Sequence, residues 1–160
     1  MSTQAKVLSL EDLSLVVTRL REDGARIGHC HGCFDVVHYG HLIHFAEARS
    51  LVDFLIVTVT ADRHIRKGPG RPVFSENRRA YFLSQIRSVD AVTIDQFDTA
   101  EFVIGLIRPS IYFKGADYRA NLTAALEREA FLVRSFGGSV HFTSGDRYST
   151  TDTLKRLSGA

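Results

Sequence analysis

The chain has 160 residues, 44% of them hydrophobic, and a formal net charge of +2. That length and apolar content suit one folded domain with a proper core and exclude an intrinsically disordered chain. The charge is too small for a general nucleic-acid binder, no apolar run approaches the roughly 20 residues of a membrane span, and two cysteines make no disulfide scaffold.

Met1–Lys6 is polar and carries no signal-peptide pattern, so a cytoplasmic protein with no membrane or nucleic-acid partner is expected. Residues 1–25 are expected to form a helical extension to a main domain at 26–160. Within the extension, Ser9–Leu20 reads as a helix: Ser9 and Asp12 have capping-box spacing, Leu10, Leu13, Val17 and Leu20 share a face, and Gly24 ends it. Arg26–Cys33 is the first strand. Tyr39–Leu51 is helical, with Leu42, Phe45 and Ala46 as its apolar side. Phe54–Thr60 is a continuous β-branched run, as expected of a parallel strand covered on both faces. Ala61–Phe74 is a polar loop containing Gly68, Gly70 and Pro72. Ser75 caps a helix reaching about Arg87. Ala91–Ile94 is a short strand, and Asp98 and Glu101 open the next helix with capping-box spacing. Ile111–Phe113 is a strand, Leu122–Phe136 a helix stopped by Gly137 and Gly138, and Val140–Phe142 a last strand. Ser149 and Asp152 cap a terminal helix. This alternation predicts an α/β fold, a doubly wound parallel sheet of about five strands in a single domain.

The segment Gly32-Cys33-Phe34-Asp35-Val36-Val37-His38-Tyr39-Gly40-His41 falls at a strand-to-helix junction, where open α/β sheets bind phosphates. Gly32 lets backbone approach a phosphate closely. The first N–H groups of the following helix point at an anion, His38 and His41 lie about one turn apart, and Gly40 clears the space between them. A metal site is the rival reading, because His29, Cys30, His31, Cys33, His38, His41 and His44 crowd together and Cys30-x-x-Cys33 has the spacing of a zinc knuckle or redox pair. Strand geometry weakens it: residues three apart point to opposite faces, and no second cysteine pair completes a site. Cys30 is then a core residue, with His29 and His44 incidental. For His38 and His41 alone, structural and phosphate-binding roles stay equally open.

The same ten residues resemble the signature of the cytidylyltransferase-like nucleotidyltransferases, and the resemblance covers about Ile27–Leu157. It implies a Rossmann-like fold in which the two histidines contact the phosphates of a nucleoside triphosphate. Three further segments agree in order. The loop Arg63–Pro72 is similar to a basic loop whose lysine neutralises the triphosphate, with Lys67 the best match and Arg66 the second. In the helix after it, Arg78 matches a family arginine near the substrate. Six cationic side chains fall between Arg63 and Arg79 against Glu76 alone. By itself that is a solvated charge run; the Gly-Pro loop and the fixed order favour a site. Lys114-Gly115-Ala116-Asp117-Tyr118 resembles the Lys-Gly-Gly-Asp-Tyr segment of the heptose-phosphate members, with Ala116 in place of the second glycine. Ser149-Thr150-Thr151 is similar to the family's Ser-Thr-Thr phosphate-binding motif; read alone it is an N-cap.

The implied reaction joins a phosphate monoester to a nucleoside triphosphate. A phosphate oxygen attacks the α-phosphorus and pyrophosphate leaves, so no general base is needed and catalysis is positioning plus charge neutralisation. The resemblance assigns His38 and His41 to the transition-state phosphates, Lys67 to the β,γ-phosphates and Arg78 to the acceptor phosphate or pyrophosphate. Gly32, Cys33, Phe34 and Gly40 shape the nucleotide pocket, and Lys114, Asp117, Ser149, Thr150 and Thr151 complete it. Asp35 orients the turn. Mg²⁺ accompanies the triphosphate, with no dedicated protein cage, and a homodimer is expected. The heptose-like segment favours ATP and a sugar phosphate such as a heptose 1-phosphate, giving an NDP-sugar. It resembles the nucleotidyltransferase half that some relatives carry fused to a sugar kinase. CTP-dependent transfer to glycerol phosphate or another polyol phosphate is the near alternative, and a non-catalytic nucleotide-binding module the remote one.

Overall fold

A computed structural model describes residues 6–144 and 155–158. The elements in chain order are α1 (Leu10–Glu22), β1 (Ile27–Gly32), α2 (Tyr39–Ser50), β2 (Phe54–Thr60), α3 (Glu76–Ser84), β3 (Ala91–Asp95), α4 (Glu101–Ile107), β4 (Ile111–Lys114), α5 (Ala124–Ser135) and β5 (Ser139–Phe142). The five strands are all parallel, in the order β3-β2-β1-β4-β5. The chain therefore winds outward from β1 to β3, returns across the sheet, and winds the other way through β4 and β5. The carboxyl ends of β1 and β4 are the switch point where such sheets open a ligand crevice.

Strand alternation divides the core between the two faces. Cys30, Leu55, Val57, Val59, Val92 and Phe113 pack with Phe45 and Ala48 of α2 and Ala80 and Leu83 of α3. Ile27, Ile56, Ala91 and Tyr112 face the other way, against Leu13 and Val17 of α1, Val103, Ile104 and Ile107 of α4, and Leu126 and Val133 of α5. The helix α1 thus buries its stripe in the same core as the sheet. The residues before it run alongside the β3 edge, where Val92 N donates to Lys6 O at 2.7 Å and Leu8 N to Val92 O at 2.8 Å.

Caps account for several element ends. Ser9 Oγ accepts from Asp12 N at 3.0 Å and donates to the Asp12 carboxylate at 2.8 Å. Gly24 follows α1 at φ +72°, a left-handed turn that suits glycine. Three expectations differ. The third helix ends at Ser84 rather than Arg87, and its N-cap Ser75 makes no side-chain hydrogen bond; Glu76 instead accepts from Asp62 N at 2.7 Å. Asp98 and Glu101 form no capping box, because α4 starts from Ala100 and Asp98 faces His64 Nδ1 at 3.4 Å. The inward stripe of α2 is not Leu42, Phe45 and Ala46: Leu42 is 42% exposed and Ala46 exposed, while Phe45 and Ala48 are fully buried. His41, His44, Phe45 and Ala48 share the i, i+3, i+4, i+7 face, so histidines occupy places that an apolar-pattern reading gives to leucines.

Candidate active site

The N-terminus of α2 is built from its own histidines. His38 is the N-cap in extended conformation, and its Nδ1 accepts from Gly40 N at 3.1 Å. His41 Nδ1 accepts in turn from His38 N at 3.2 Å, and the two rings lie 4.1 Å apart. A neutral imidazole that accepts at Nδ1 carries its proton on Nε2. Both histidines are therefore fixed as Nε2–H donors at a helix N-terminus, the arrangement that suits an anion. Burial, and then the neighbouring His38, His44 and Lys67, push the His41 ring down to about 3, so it is neutral before any ligand binds.

The turn before this helix holds His41 in place. Phe34 sits at φ +47°, a left-handed conformation rare for a bulky side chain and typical of strained functional turns. Its ring packs 5.6 Å from His41 and 5.4 Å from Phe45. A Cβ on Gly32 would come within 3.1 Å of that ring, so the glycine makes room for Phe34. Asp35 is fully enclosed. Burial pushes its carboxyl up, but the Arg71 side chain and the Phe74 and Val73 amides outweigh burial and hold it below the usual range. Asp35 thus fastens the basic loop to the turn.

The structure separates the cations of that loop. Arg66 is exposed beside Asp98 at 3.8 Å. Lys67 is exposed too; its charge adds to the burial that lowers the His41 ring and opposes the burial that raises the Cys33 thiol, which puts it on the side of the histidine pair. The two arginines of α3 have opposite environments. Arg78 is exposed and lines a groove of ≈ 460 Å³ with Phe34, Val37, Phe74 and Phe82, a mainly apolar wall. Arg79 is 2% exposed. Its guanidinium donates to Cys33 O at 2.5 Å, Phe74 O and Thr60 O at 2.9 Å, and Asp62 Oδ1 at 2.6 Å. It ties together the turn after β1, the end of β2 and the start of α3. A shift of one residue in helical phase decides this, since Arg79 lies four residues before the buried Leu83 and so shares its face.

Across the switch point, Lys114 ends β4. It is 7% exposed, pairs with Glu129 of α5 at 3.2 Å, and lies over the rings of Tyr112 and Tyr118. Sequence reasoning did not find Glu129 as the partner of Lys114. Asp117 is exposed; its charge acts on His44, so the β4 loop and α2 face each other across the crevice. Glu47 of α2 accepts from Ser144 N and Oγ at 2.9 and 2.8 Å and lies 3.1 Å from His141 Nε2, holding the chain after β5 against this helix. Ser149, Thr150 and Thr151 lie outside the described residues. Cys30 is in the core and Cys33 half-buried in the turn, both as free thiols.

Among the described residues no three His, Cys, Asp or Glu side chains converge to hold a metal. Asp35 and Asp62 are engaged by Arg71 and Arg79. The described residues therefore form no cage for a resident Mg²⁺. No helix among the described residues is long and apolar enough to cross a membrane.

Known proteins resemble this chain in sequence and in fold. The cytidylyltransferase-like family matches residues 29–156. The chain is 38% identical, over 98% of its length, to the bifunctional protein HldE of Paramagnetospirillum magneticum, and 39% identical, over 95%, to HldE of Nitrobacter winogradskyi. It covers 32% and 31% of those proteins, so it spans about a third of the length of the curated relatives it matches. Among solved structures, a lipopolysaccharide core biosynthesis protein from Thermoplasma volcanium superposes with a TM-score of 0.63 at 25% identity, over 79% of this chain and all of that one. A pantoate–β-alanine ligase from Francisella tularensis gives 0.62 at 13% identity, over 91% of this chain and 69% of that one, a likeness of fold alone. The chain belongs to the cytidylyltransferase-like family of nucleotidyltransferases.

Proposed function

We propose that the protein transfers the nucleotidyl group of ATP to a sugar phosphate such as a heptose 1-phosphate, releasing pyrophosphate and forming an NDP-sugar. The observation that carries this reading is the pair of Nε2–H donors, His38 and His41, fixed by backbone amides at the α2 N-terminus. An acceptor phosphate oxygen, already anionic at neutral pH, forms a bond to the α-phosphorus as the bond from that phosphorus to the pyrophosphate oxygen breaks. His38 and His41 donate to the phosphoryl oxygens that gain charge, Lys67 neutralises the β,γ-phosphates, and Gly32, Cys33, Phe34 and Gly40 shape the space around them. Arg79 holds the turn that supports these donors, and the exposed Arg78 meets the acceptor phosphate or pyrophosphate. Lys114 and Asp117 flank the nucleotide from the β4 side, and Ser149, Thr150 and Thr151 add hydroxyl donors. Mg²⁺ enters as part of the triphosphate substrate, held by the phosphates.

The Lys114–Tyr118 segment, by its resemblance to the heptose-phosphate members, supports a sugar phosphate and ATP, and the likeness to a lipopolysaccharide core biosynthesis protein is in keeping with a carbohydrate product. CTP with glycerol phosphate or another polyol phosphate is the second reading, supported by the family's cytidylyl description. The deciding experiment is a pyrophosphate-release screen of the four nucleoside triphosphates against sugar and polyol phosphates. Release with ATP and heptose 1-phosphate supports the first reading, release with CTP and glycerol 3-phosphate the second. Release with none leaves a nucleotide-binding module without turnover and refutes both.

A further inference from the structure

One sheet face changes character along its strands. On the side covered by α1, α4 and α5, the amino ends of the strands carry Ile27, Ile56 and Ala91 of the apolar core. Toward the carboxyl ends the same face turns polar on four adjacent strands: His29 and His31 on β1, Thr58 and Thr60 on β2, Asp95 on β3, Lys114 on β4. Parallel register sets these side by side. His31 pairs with Thr58 and Thr60 with Asp95, and continuing the His29–Tyr112 pairing brings Lys114 next to His31.

The groups are joined into one belt. Thr58 Oγ1 lies 2.7 Å from His29 Nε2 and 2.8 Å from His31 Nδ1, and His31 Nδ1 is 3.8 Å from Asp95 Oδ2. Asp95 is fully buried. Its Oδ1 accepts from Phe97 N at 3.0 Å, while Oδ2 has no hydrogen bond among the described residues and is approached by His31. Buried carboxylate oxygens are ordinarily paired, and exceptions cluster at functional sites. The belt lies at the carboxyl ends of the strands, the edge where this fold takes ligands. Its partly exposed members are His31, with its side chain 14% exposed, and Thr60, whose hydroxyl approaches His31 Nε2 at 3.4 Å. Asp95 sits sealed behind His31.

Charge decides what the belt can receive. Glu129 neutralises Lys114 at 3.2 Å. Burial, and then the nearby Lys114, push the His31 ring down to about 3, so it is neutral. With no excess positive charge and a buried carboxyl group, the belt does not suit a phosphate. Neutral imidazoles, hydroxyls and a carboxyl group do offer the mixture of donors and acceptors that alcohol groups require.

We infer that this belt recognises the uncharged, hydroxyl-bearing part of the acceptor, with His31 making the contact and Asp95 and Thr58 positioning its ring. The inference rests on the proposed reading that the acceptor is a sugar or polyol phosphate. It adds a specificity-determining residue next to Gly32 that the phosphate-binding segments do not supply.

The test uses the full chain with whichever pair the wild type turns over, ATP with heptose 1-phosphate or CTP with glycerol 3-phosphate. Both KM values are measured for wild type, His31→Leu, His31→Asn and Asp95→Asn, with a melting curve for each. His31→Leu raises the acceptor KM at least ~10-fold while the nucleotide KM stays within about twofold, the size of effect expected when a hydroxyl loses its partner. His31→Asn, which keeps a donor and an acceptor, recovers most of the loss, a result that a purely structural role would not produce. Asp95→Asn shifts the acceptor KM in the same direction and carries the test if His31→Leu does not fold. An unchanged acceptor KM in the folded variants, or a parallel rise in both KM values, overturns the inference. A wild type that turns over no acceptor overturns the proposed function instead.

Discussion

Two adjacent arginines on α3 offer a sharp comparison, because the structure gives them opposite environments. Arg79→Met keeps the length of the side chain and removes four hydrogen bonds, three to the backbone carbonyls of Cys33, Thr60 and Phe74 and one to Asp62. Asp62 is 38% exposed and regains water, so its share is small. The carbonyls are left without their donor, at roughly 1–3 kcal/mol each where water cannot replace it. Together the loss is about 3–5 kcal/mol, in line with breaking a buried charged network. For a domain of this size, 1 kcal/mol is worth about 2–4 °C, so Arg79→Met lowers the melting temperature by about 10 °C. Arg78→Met, on the exposed face, changes stability by less than ~0.5 kcal/mol. The assay is paired thermal unfolding of the two variants at neutral pH, with the nucleotide KM measured below the transition. Arg79→Met also raises that KM, since the carbonyl it binds belongs to the turn carrying Phe34 and Asp35. Equal melting temperatures for the two variants would refute the reasoning.

His41→Ala reduces kcat by at least ~10²-fold with little change in melting temperature, as expected for a donor aimed at developing charge; a folded variant with normal turnover removes His41 from the chemistry. Lys67→Ala weakens nucleoside triphosphate use, seen as a raised nucleotide KM, while the acceptor KM holds; unchanged kinetics would place the exposed Lys67 outside the site. Stability falls on acidification from pH 7 to pH 5. The rings of His29, His31, His41 and His44 are all held below their ordinary value by burial, so between about 6.5 and their folded values the unfolded chain binds more protons. Each enclosed ring contributes on the order of 2 kcal/mol of loss at pH 5. Asp95, raised by burial to about 6, acts in the opposite sense as pH falls through that value, but it is one group against four. A melting temperature that does not drop between pH 7 and pH 5 contradicts this assignment.

Much of the architecture was legible locally. Phe54–Thr60 is a strand at the residues its β-branched run indicates, and the alternation of elements carries the parallel, doubly wound sheet. Those signals are short-range: residue shape sets strand propensity, and the spacing of apolar groups sets the period. The histidine pair was legible for the same reason, since His38 and His41 cap their own helix within one turn. The apolar face of α2 was not, because His41 and His44 fill inward positions and pattern reading counts them as polar.

The sequence by itself determined the parallel α/β class, the place of the histidine-capped helix terminus and the basic character of the loop after β2. All of these follow from neighbours within a few residues. Only the tertiary structure decided that Arg79 rather than Arg78 braces the turn, that Lys114 answers to Glu129, and that His31, Thr58 and Asp95 form one belt. The partners in those cases lie 15 to 64 positions apart in the chain. Strand order and helical phase bring them together, and neither can be read from the identity of one residue or its nearest neighbours.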